Sequence, residues 1–543
     1  MTSLKLGEAI TRKLGNSGIN TVFGLPGGGS SSDLLCYMGD LDMEFVLTQN
    51  ETTAAIMASV YGEVTGKPGV CLSDLGPGAL SMSTGIAYAL LDRAPLISLS
   101  DRYGHDSVDY ALRQKVSHIE AFKPLTKLAS SLSVSNWSSM LNRGYTVSMT
   151  PKRGPVHFDV PNDIINKDVD EDTGSFCRDA YRLTADEASL KAAAALIKKA
   201  KFPVAIVGLS INTGNGEQYE HLKAFIEQFG IPTFKTAKAK GSLSDYHELS
   251  LGVFMGGRLE TSIMDKCDLI VGIGLDPVEL LPKKWRYTQP VVYISNDSND
   301  QEMYRAVVEA VGDIGNTLHS IREYMTDCSN QWKLDEVASY RNLVRVTLET
   351  SGLALTADKV IMISQEELPK DVLMTADVGA SKLLVIELWE SMNPQSFFIS
   401  NGLATMGFGL PAAMALQHVY PNKVVASLTG DGGFMMRLPE IATAVQNKWP
   451  VISIIFSDRR LSLMDVKQVK KGYSKPFGTE FVAPDYVKFA ESLGANGWSA
   501  ETEDELRLAI RQALASTNGM PSIIEAKIDP STYHEQFEAI REL

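Results

Sequence analysis

The stretch "SLTGDGGFMMRLPEIATAVQNKWPVISIIFSDRRL", Ser427 to Leu461, constrains the fold of this chain more than any other. A strand-like run enters a Gly-Asp-Gly-Gly turn, a stretch with helical spacing follows, and a second strand-like run ends on an acid. Strands joined through a crossover helix lie parallel, because the helix carries the chain back to the opposite end of the sheet and both strands then run to the same edge. "VVASLTG" and "VISIIFS" therefore deliver Asp431 and Asp458 to one edge. In an open parallel sheet that carboxyl edge is where ligands sit.

The same alternation runs through the chain. Short apolar runs alternate with helical patterns in the first third: "TVFGLPG", "EFVLTQN", "GVCLSDLGPG", "PLISLSD" and "GPVHFDVP". A polar, acidic stretch near 163–185 reads as a linker. "FPVAIVGL", "CDLIVGIG" and "PVVYIS" mark a second segment, and a charged helical connection spans about 327–350. "DVLMTADVG", "FFIS", "VVASLTG", "VISIIFSD" and "PSIIEAKI" mark a third. At 543 residues the chain is too long for one core. The expected fold class is α/β, with three doubly wound parallel-sheet domains over 1–165, 186–330 and 350–543.

Charge and cysteine usage narrow the setting. A net charge of −14 argues against nucleic acid or an anionic membrane as partner. The five cysteines, Cys36, Cys71, Cys177, Cys267 and Cys328, show no metal-ligand spacing and fit a reducing compartment. "MTSLKLGEAITRKLGNSGIN" reads as an amphipathic helix, not a leader, and no apolar run is long enough for a membrane span. A cytoplasmic protein without a membrane partner is expected.

Taken singly, Gly-Asp-Gly reads as a tight turn and Asp458 as a helix cap. Taken together, the two carboxylates, a loop carbonyl and phosphate oxygens would suit Mg²⁺, which rarely takes an all-protein cage. Gly432 and Gly433 would let a diphosphate approach the start of the helix, where N–H groups and the dipole favour an anion. G-D-G followed 27 positions after its Asp by a second metal-binding residue resembles the signature of thiamin-diphosphate-dependent enzymes. Asp at the second position, in "FSDRRLSLM", resembles the catabolic acetolactate synthase branch. The resemblance implies that Asp431, Asp458 and the Arg460 carbonyl hold Mg²⁺, and that the metal holds the diphosphate. "ADVGASKL" resembles the loop that contacts the diphosphate, which nominates Gly379, Ala380 and Ser381. "NGLATMGFGLPAA" resembles the segment under the thiazolium ring. There Met406 would be the apolar wedge that bends the cofactor, and the Ala404 carbonyl would receive the aminopyrimidine amine.

"NETTAAIMASVYGEVTGKPGVCLSDLGPGALSMSTGIAYALLDRAPLISL" resembles the pyrimidine-binding domain of the same family, so the three domains become pyrimidine-binding, middle and diphosphate-binding. Glu51 then stands where the family's activating glutamate stands. By itself it also reads as a helix-start carboxylate favoured by the dipole. Gln114 lies where carboligases have a substrate-facing Gln. The decarboxylase histidine pair is replaced by the isolated His105 and His118. "GLSINTGNG" is not a clean dinucleotide fingerprint, and the middle domain resembles FAD-free acetolactate synthases, so FAD is not expected. The chain departs from the family at Asn50, at Ser81 and in the Gly/Ser-rich "GLPGGGSSSD" loop.

The resemblance implies a carboligase that takes a 2-keto acid, pyruvate by expectation, and a carbonyl acceptor. It also implies a homodimer or homotetramer with active sites at the subunit interface. The alternatives are a lyase or decarboxylase of the same family and, from another class, a nicotinamide-dependent dehydrogenase.

Overall fold

A computed structural model describes residues 3–172, 174–176, 183–300, 303–325, 329–516 and 518–541. Its frame is three six-stranded sheets, parallel throughout. Across its width the first reads Glu44–Leu47, Thr21–Leu25, Gly69–Ser73, Leu96–Arg102, Pro155–Pro161, Leu128–Ser131. The second reads Ser250–Val253, Thr233–Lys235, Pro203–Val207, Leu269–Ile273, Val291–Ser295, Ala306–Val311. The third reads Phe397–Ile399, Leu373–Ala376, Val425–Gly430, Ile452–Ser457, Ser522–Lys527, Asn496–Ala500. The first and third share one strand order, 2-1-3-4-6-5, whereas the second has 3-2-1-4-5-6. The expected doubly wound α/β class is the one observed.

Central strands read as unbroken apolar runs because helices cover both faces of each sheet. Ile452–Ser457 and Gly69–Ser73 are buried at every position. In the first sheet Val70, Leu72, Ile97, Leu99, Val156 and Phe158 pack against the helix residues Leu6, Ile10 and Leu14.

The chain forms two compact units. One, carrying the first sheet, comprises Met1–Ala180, Gly402–Pro421 and Arg437–Trp449. The other, carrying the remaining two sheets, comprises Tyr181–Asn401, Asn422–Met436 and Pro450–Leu543. The last third of the sequence is thus divided: helix Gly409–Val419 packs on helix Glu51–Thr65, and its His418 lies 3.2 Å from Thr21.

The N-terminal helix begins at Leu6, after a strand, Ser3–Lys5, that pairs antiparallel with Asp168–Asp170 inside the expected linker. Helix Leu334–Leu348 occupies the expected charged connection. Cys36, Cys71 and Cys267 are free thiols, while Cys177 and Cys328 lie outside the described residues. Among the described residues no helix is long and apolar enough to cross a membrane.

Candidate active site

Each outer sheet reverses its winding direction between its second and third strands as written above, and loops at such a switch point frame a ligand crevice. In the third sheet those loops begin at Asp377 and Asp431. The neighbouring strand ends at Ser457, and Gly430 pairs with Phe456, so Asp458 emerges beside Asp431.

Asp431 is 2% exposed. Its Oδ1 accepts the Gly432 N–H at 2.8 Å, and its Oδ2 accepts those of Asp458 and Arg459 at 3.1 and 2.6 Å. Asp458 accepts the Arg460 N–H (3.0 Å) and the Ser462 hydroxyl (2.5 Å). Burial, and then the Asp458 charge, push the Asp431 carboxyl up to about 7; burial also raises Asp458. The Arg460 guanidinium forms ion pairs with Asp465 and Glu480, both at 2.6 Å. Two adjoining carboxylates, one buried and one half-buried, held by N–H groups fit a hard divalent cation, whose charge would offset their desolvation and mutual repulsion.

The other nominated residues of this unit follow the ends of strands Leu373–Ala376 and Val425–Gly430. A Cβ on Gly433 would stand 3.0 Å from the Asp377 carboxylate, so glycine lets the two loops close on each other. A Cβ on Gly379 would meet nothing within 4 Å. Ser381 starts helix Ser381–Leu388, and no side chain caps it at Ala380. Helix Asp431–Met435, which carries Gly432, is likewise uncapped by any side chain at Gly430. Such ends offer N–H groups to an anion, the Gly432 N–H being the one already taken by Asp431.

Sequence reasoning missed Asp377 as a third acid at a strand end. It is 3% exposed and accepts the Val378 N–H (2.6 Å) and the Thr429 hydroxyl (3.3 Å). Its signal was present in "ADVGASKL", since it follows its strand as Asp431 and Asp458 follow theirs.

Glu51, Ala404, Met406 and Gln114 belong to the first unit. Glu51 opens a helix whose cap is Asn50, the side chain accepting the Thr52 N–H at 2.9 Å; this accounts for asparagine there. Glu51 is half-buried, and a Cβ on Gly78 would lie 3.1 Å from its Oε1. Glycine at 78 therefore lets the Gly-Pro-Gly turn approach the carboxylate. The loop bearing Ala404 and Met406 is tied down by Asp92, which accepts the N–H groups of Gly402 (3.1 Å) and Leu403 (3.2 Å). Ala404 adopts φ 54°, and Met406 is half-buried. Gln114, with φ 56°, lines a cavity of about 160 Å³ with Leu75, Arg102, Tyr103, His118 and Asp159.

The Gly/Ser-rich loop is explained by Asp101, at the end of strand Leu96–Arg102. Its carboxylate accepts the Ser30 hydroxyl (2.8 Å), the Ser31 hydroxyl (2.8 Å) and the Ser31 N–H at the start of helix Ser30–Asp40. A Cβ on Gly29 would collide with Asp101, and one on Gly27 with Asp74. The two histidines separate sharply. His105 has an exposed side chain beside Asp163, whereas His118 is 3% exposed with both ring nitrogens engaged.

Models of thiamine pyrophosphate enzymes match this chain in three places. The N-terminal TPP binding domain matches residues 4–122, the central domain 190–321 and the C-terminal TPP binding domain 377–526, between them most of the chain. The chain belongs to the thiamin-diphosphate-dependent enzymes. Within them it is similar along nearly its full length to proteins named acetolactate synthase. The acetolactate synthase of Bacillus subtilis is 27% identical over 96% of this chain and 93% of that protein. A probable acetolactate synthase large subunit of Methanocaldococcus jannaschii is 28% identical over 97% and 92%. The catabolic acetolactate synthase of Raoultella terrigena is 25% identical over 96% and 94%. The two outer sheets, alike in strand order, overlap the two matched TPP-binding domains: four strands of the first lie within 4–122, and all strands of the third but Leu373–Ala376 lie within or reach the edge of 377–526.

Proposed function

We propose that the protein is a thiamin-diphosphate- and Mg²⁺-dependent carboligase. It decarboxylates a 2-keto acid, pyruvate in this reading, and transfers the remaining acyl unit to a second carbonyl. The observation that carries the reading is the pair of Asp431, buried, and Asp458, half-buried, at adjacent strand ends. Similarity to acetolactate synthases along nearly the whole chain supports the acceptor chemistry.

Bound thiamin diphosphate supplies the carbon nucleophile and the electron sink. The residues of the chain supply the rest. Asp431, Asp458 and the Arg460 carbonyl would hold Mg²⁺, and the backbone at Gly379, Ala380, Ser381, Gly432 and Gly433 would bind the diphosphate. Met406 would support the thiazolium ring, and the Ala404 carbonyl would accept the aminopyrimidine amine. Glu51 shares a proton with the aminopyrimidine ring nitrogen. Gln114, a neutral donor and acceptor, orients the acceptor carbonyl. His118 has no nitrogen to spare and His105 stands in solvent, which favours transfer to a carbonyl over protonation.

With pyruvate as sole substrate, acetolactate or another acyloin is expected in excess of acetaldehyde, read by mass spectrometry of the products. Acetaldehyde alone would shift the reading to a decarboxylase. No reaction with any of a panel of keto acids and aldehydes would favour a lyase acting on a 2-hydroxy ketone. Glu51 and the metal ligands come from different compact units, and in the family the two halves of a site meet across a subunit boundary. A homodimer, further paired into a tetramer, is therefore expected in sedimentation at assay concentration. A fully active monomer would contradict it.

A further inference from the structure

Behind the Gly-Pro-Gly turn lies a buried polar cluster that this reaction scheme leaves unused. His118, His157 and Asp159 are 3%, 0% and 3% exposed. His118 Nε2 accepts the Gly76 N–H at 2.9 Å, and its Nδ1 lies 2.8 Å from Asp159 Oδ1. His157 Nε2 lies 3.1 Å from the same oxygen, and its Nδ1 lies 3.0 Å from the Ser98 hydroxyl.

The protons can be assigned from these partners. A backbone N–H only donates, so His118 Nε2 is bare, the ring is neutral, and its proton sits on Nδ1 toward Asp159. Burial alone would raise the Asp159 carboxyl, but the hydrogen bonds from His118 and His157 outweigh it and pull it down to about 2. Burial pushes His157 down, which leaves it neutral, with Nε2–H donating to Asp159. A metal reading is available, since ligand atoms of the three residues lie within 4.8 Å of one another. It would move the His118 proton to Nε2, donor against donor with Gly76. Hydrogen bonding is the better account.

The far end of the network is a strained turn. Gly76 has φ 62° and ψ −109°, a conformation open in practice only to glycine, and a Cβ there would stand 2.8 Å from the Gln114 carbonyl oxygen. Two residues on, Gly78 adjoins Glu51 Oε1. Gln114, Leu75, His118 and Asp159 line one cavity. We propose that His118, oriented by Asp159 and His157, is a positioning residue: its bond to Gly76 fixes the turn against which Glu51 and Gln114 are set. This rests on the thiamin-diphosphate reading above.

Two substitutions separate the bonds. His118→Asn places an amide where Nδ1 was, keeps the Asp159 contact and leaves the Gly76 N–H without an acceptor. His118→Gln reaches the Nε2 position with a carbonyl and restores that acceptor. Each holoprotein, with thiamin diphosphate and Mg²⁺, is compared with wild type in cofactor affinity, hydrogen exchange of the 75–78 amides and exchange of the cofactor C2 hydrogen. In H118N the 75–78 amides should exchange faster and C2 exchange should slow about 10- to 100-fold, a loss typical of small misplacements. Cofactor affinity should be unchanged, and H118Q should recover both rates. H118N with wild-type rates and normal cofactor binding would overturn the proposal and leave the function standing. Wild-type protein that binds no thiamin diphosphate would overturn both. Should H118N fail to fold, Asp159→Asn, which removes the charge that orients the ring, takes its place: slowed C2 exchange with faster 75–78 amides supports the proposal, and wild-type rates overturn it.

Discussion

Replacing Glu51 by Gln is expected to slow exchange of the C2 hydrogen of bound thiamin diphosphate by orders of magnitude while the cofactor and Mg²⁺ still bind. The substitution keeps size and polarity but cannot relay a proton. General acid–base assistance of this kind is worth about 10²–10⁴-fold. Binding should change little, because the proposed metal and diphosphate contacts come from residues of the other compact unit, Asp431 and Asp458 among them. The competing role is visible in the structure: Glu51 is the first residue of its helix, where a carboxylate favours the dipole. That role predicts a stability loss of about 0.3–1 kcal/mol and an unchanged exchange rate. Quenched-flow exchange monitored by NMR separates the two, and a wild-type rate in E51Q would remove Glu51 from the mechanism.

Removing one carboxylate of the acid pair should act on the metal first. Even residues that only orient a metal ligand are worth about 10–100-fold in affinity, so Asp458→Ala should raise the Mg²⁺ requirement at least that far. Alanine also abandons the Arg460 N–H and the Ser462 hydroxyl. Asp458→Asn, which retains an acceptor there, is the cleaner variant and should show the same shift. Exhaustive chelation of the wild type should release the cofactor together with the metal, as read by equilibrium dialysis. Full activity in chelated enzyme would end the assignment of Asp431 and Asp458 as ligands.

Much of the fold was legible because its central strands are buried on both faces and read as apolar runs. "VISIIFSD" and "GVCLSD" mark Ile452–Ser457 and Gly69–Ser73 within a residue or two. Two edge strands, Glu44–Leu47 and Phe397–Ile399, fall in the runs "EFVLTQN" and "FFIS", but others were not legible. Ala306–Val311 alternates half-buried with exposed over most of its length, and Leu128–Ser131 is half-buried throughout. An edge strand lacks the neighbour that would demand an unbroken apolar run. Neither stands out from the loops around it.

The sequence by itself determined that Asp431 and Asp458 share an edge, since a helix between two strands leaves them parallel and returns both to the same end. It likewise determined the run of three α/β segments, because hydrophobic periodicity is a local property of the chain. Only the tertiary structure decided which distant segments meet. Asp377 joins the acid pair because Leu373–Ala376 happens to neighbour Val425–Gly430. The segments 402–421 and 437–449 leave the third sheet's unit for the first. His118 reaches Gly76 on one side and Asp159 on the other, some 40 residues away each way. Strand order and the packing of buried side chains fix such meetings, and no local pattern in the chain encodes them.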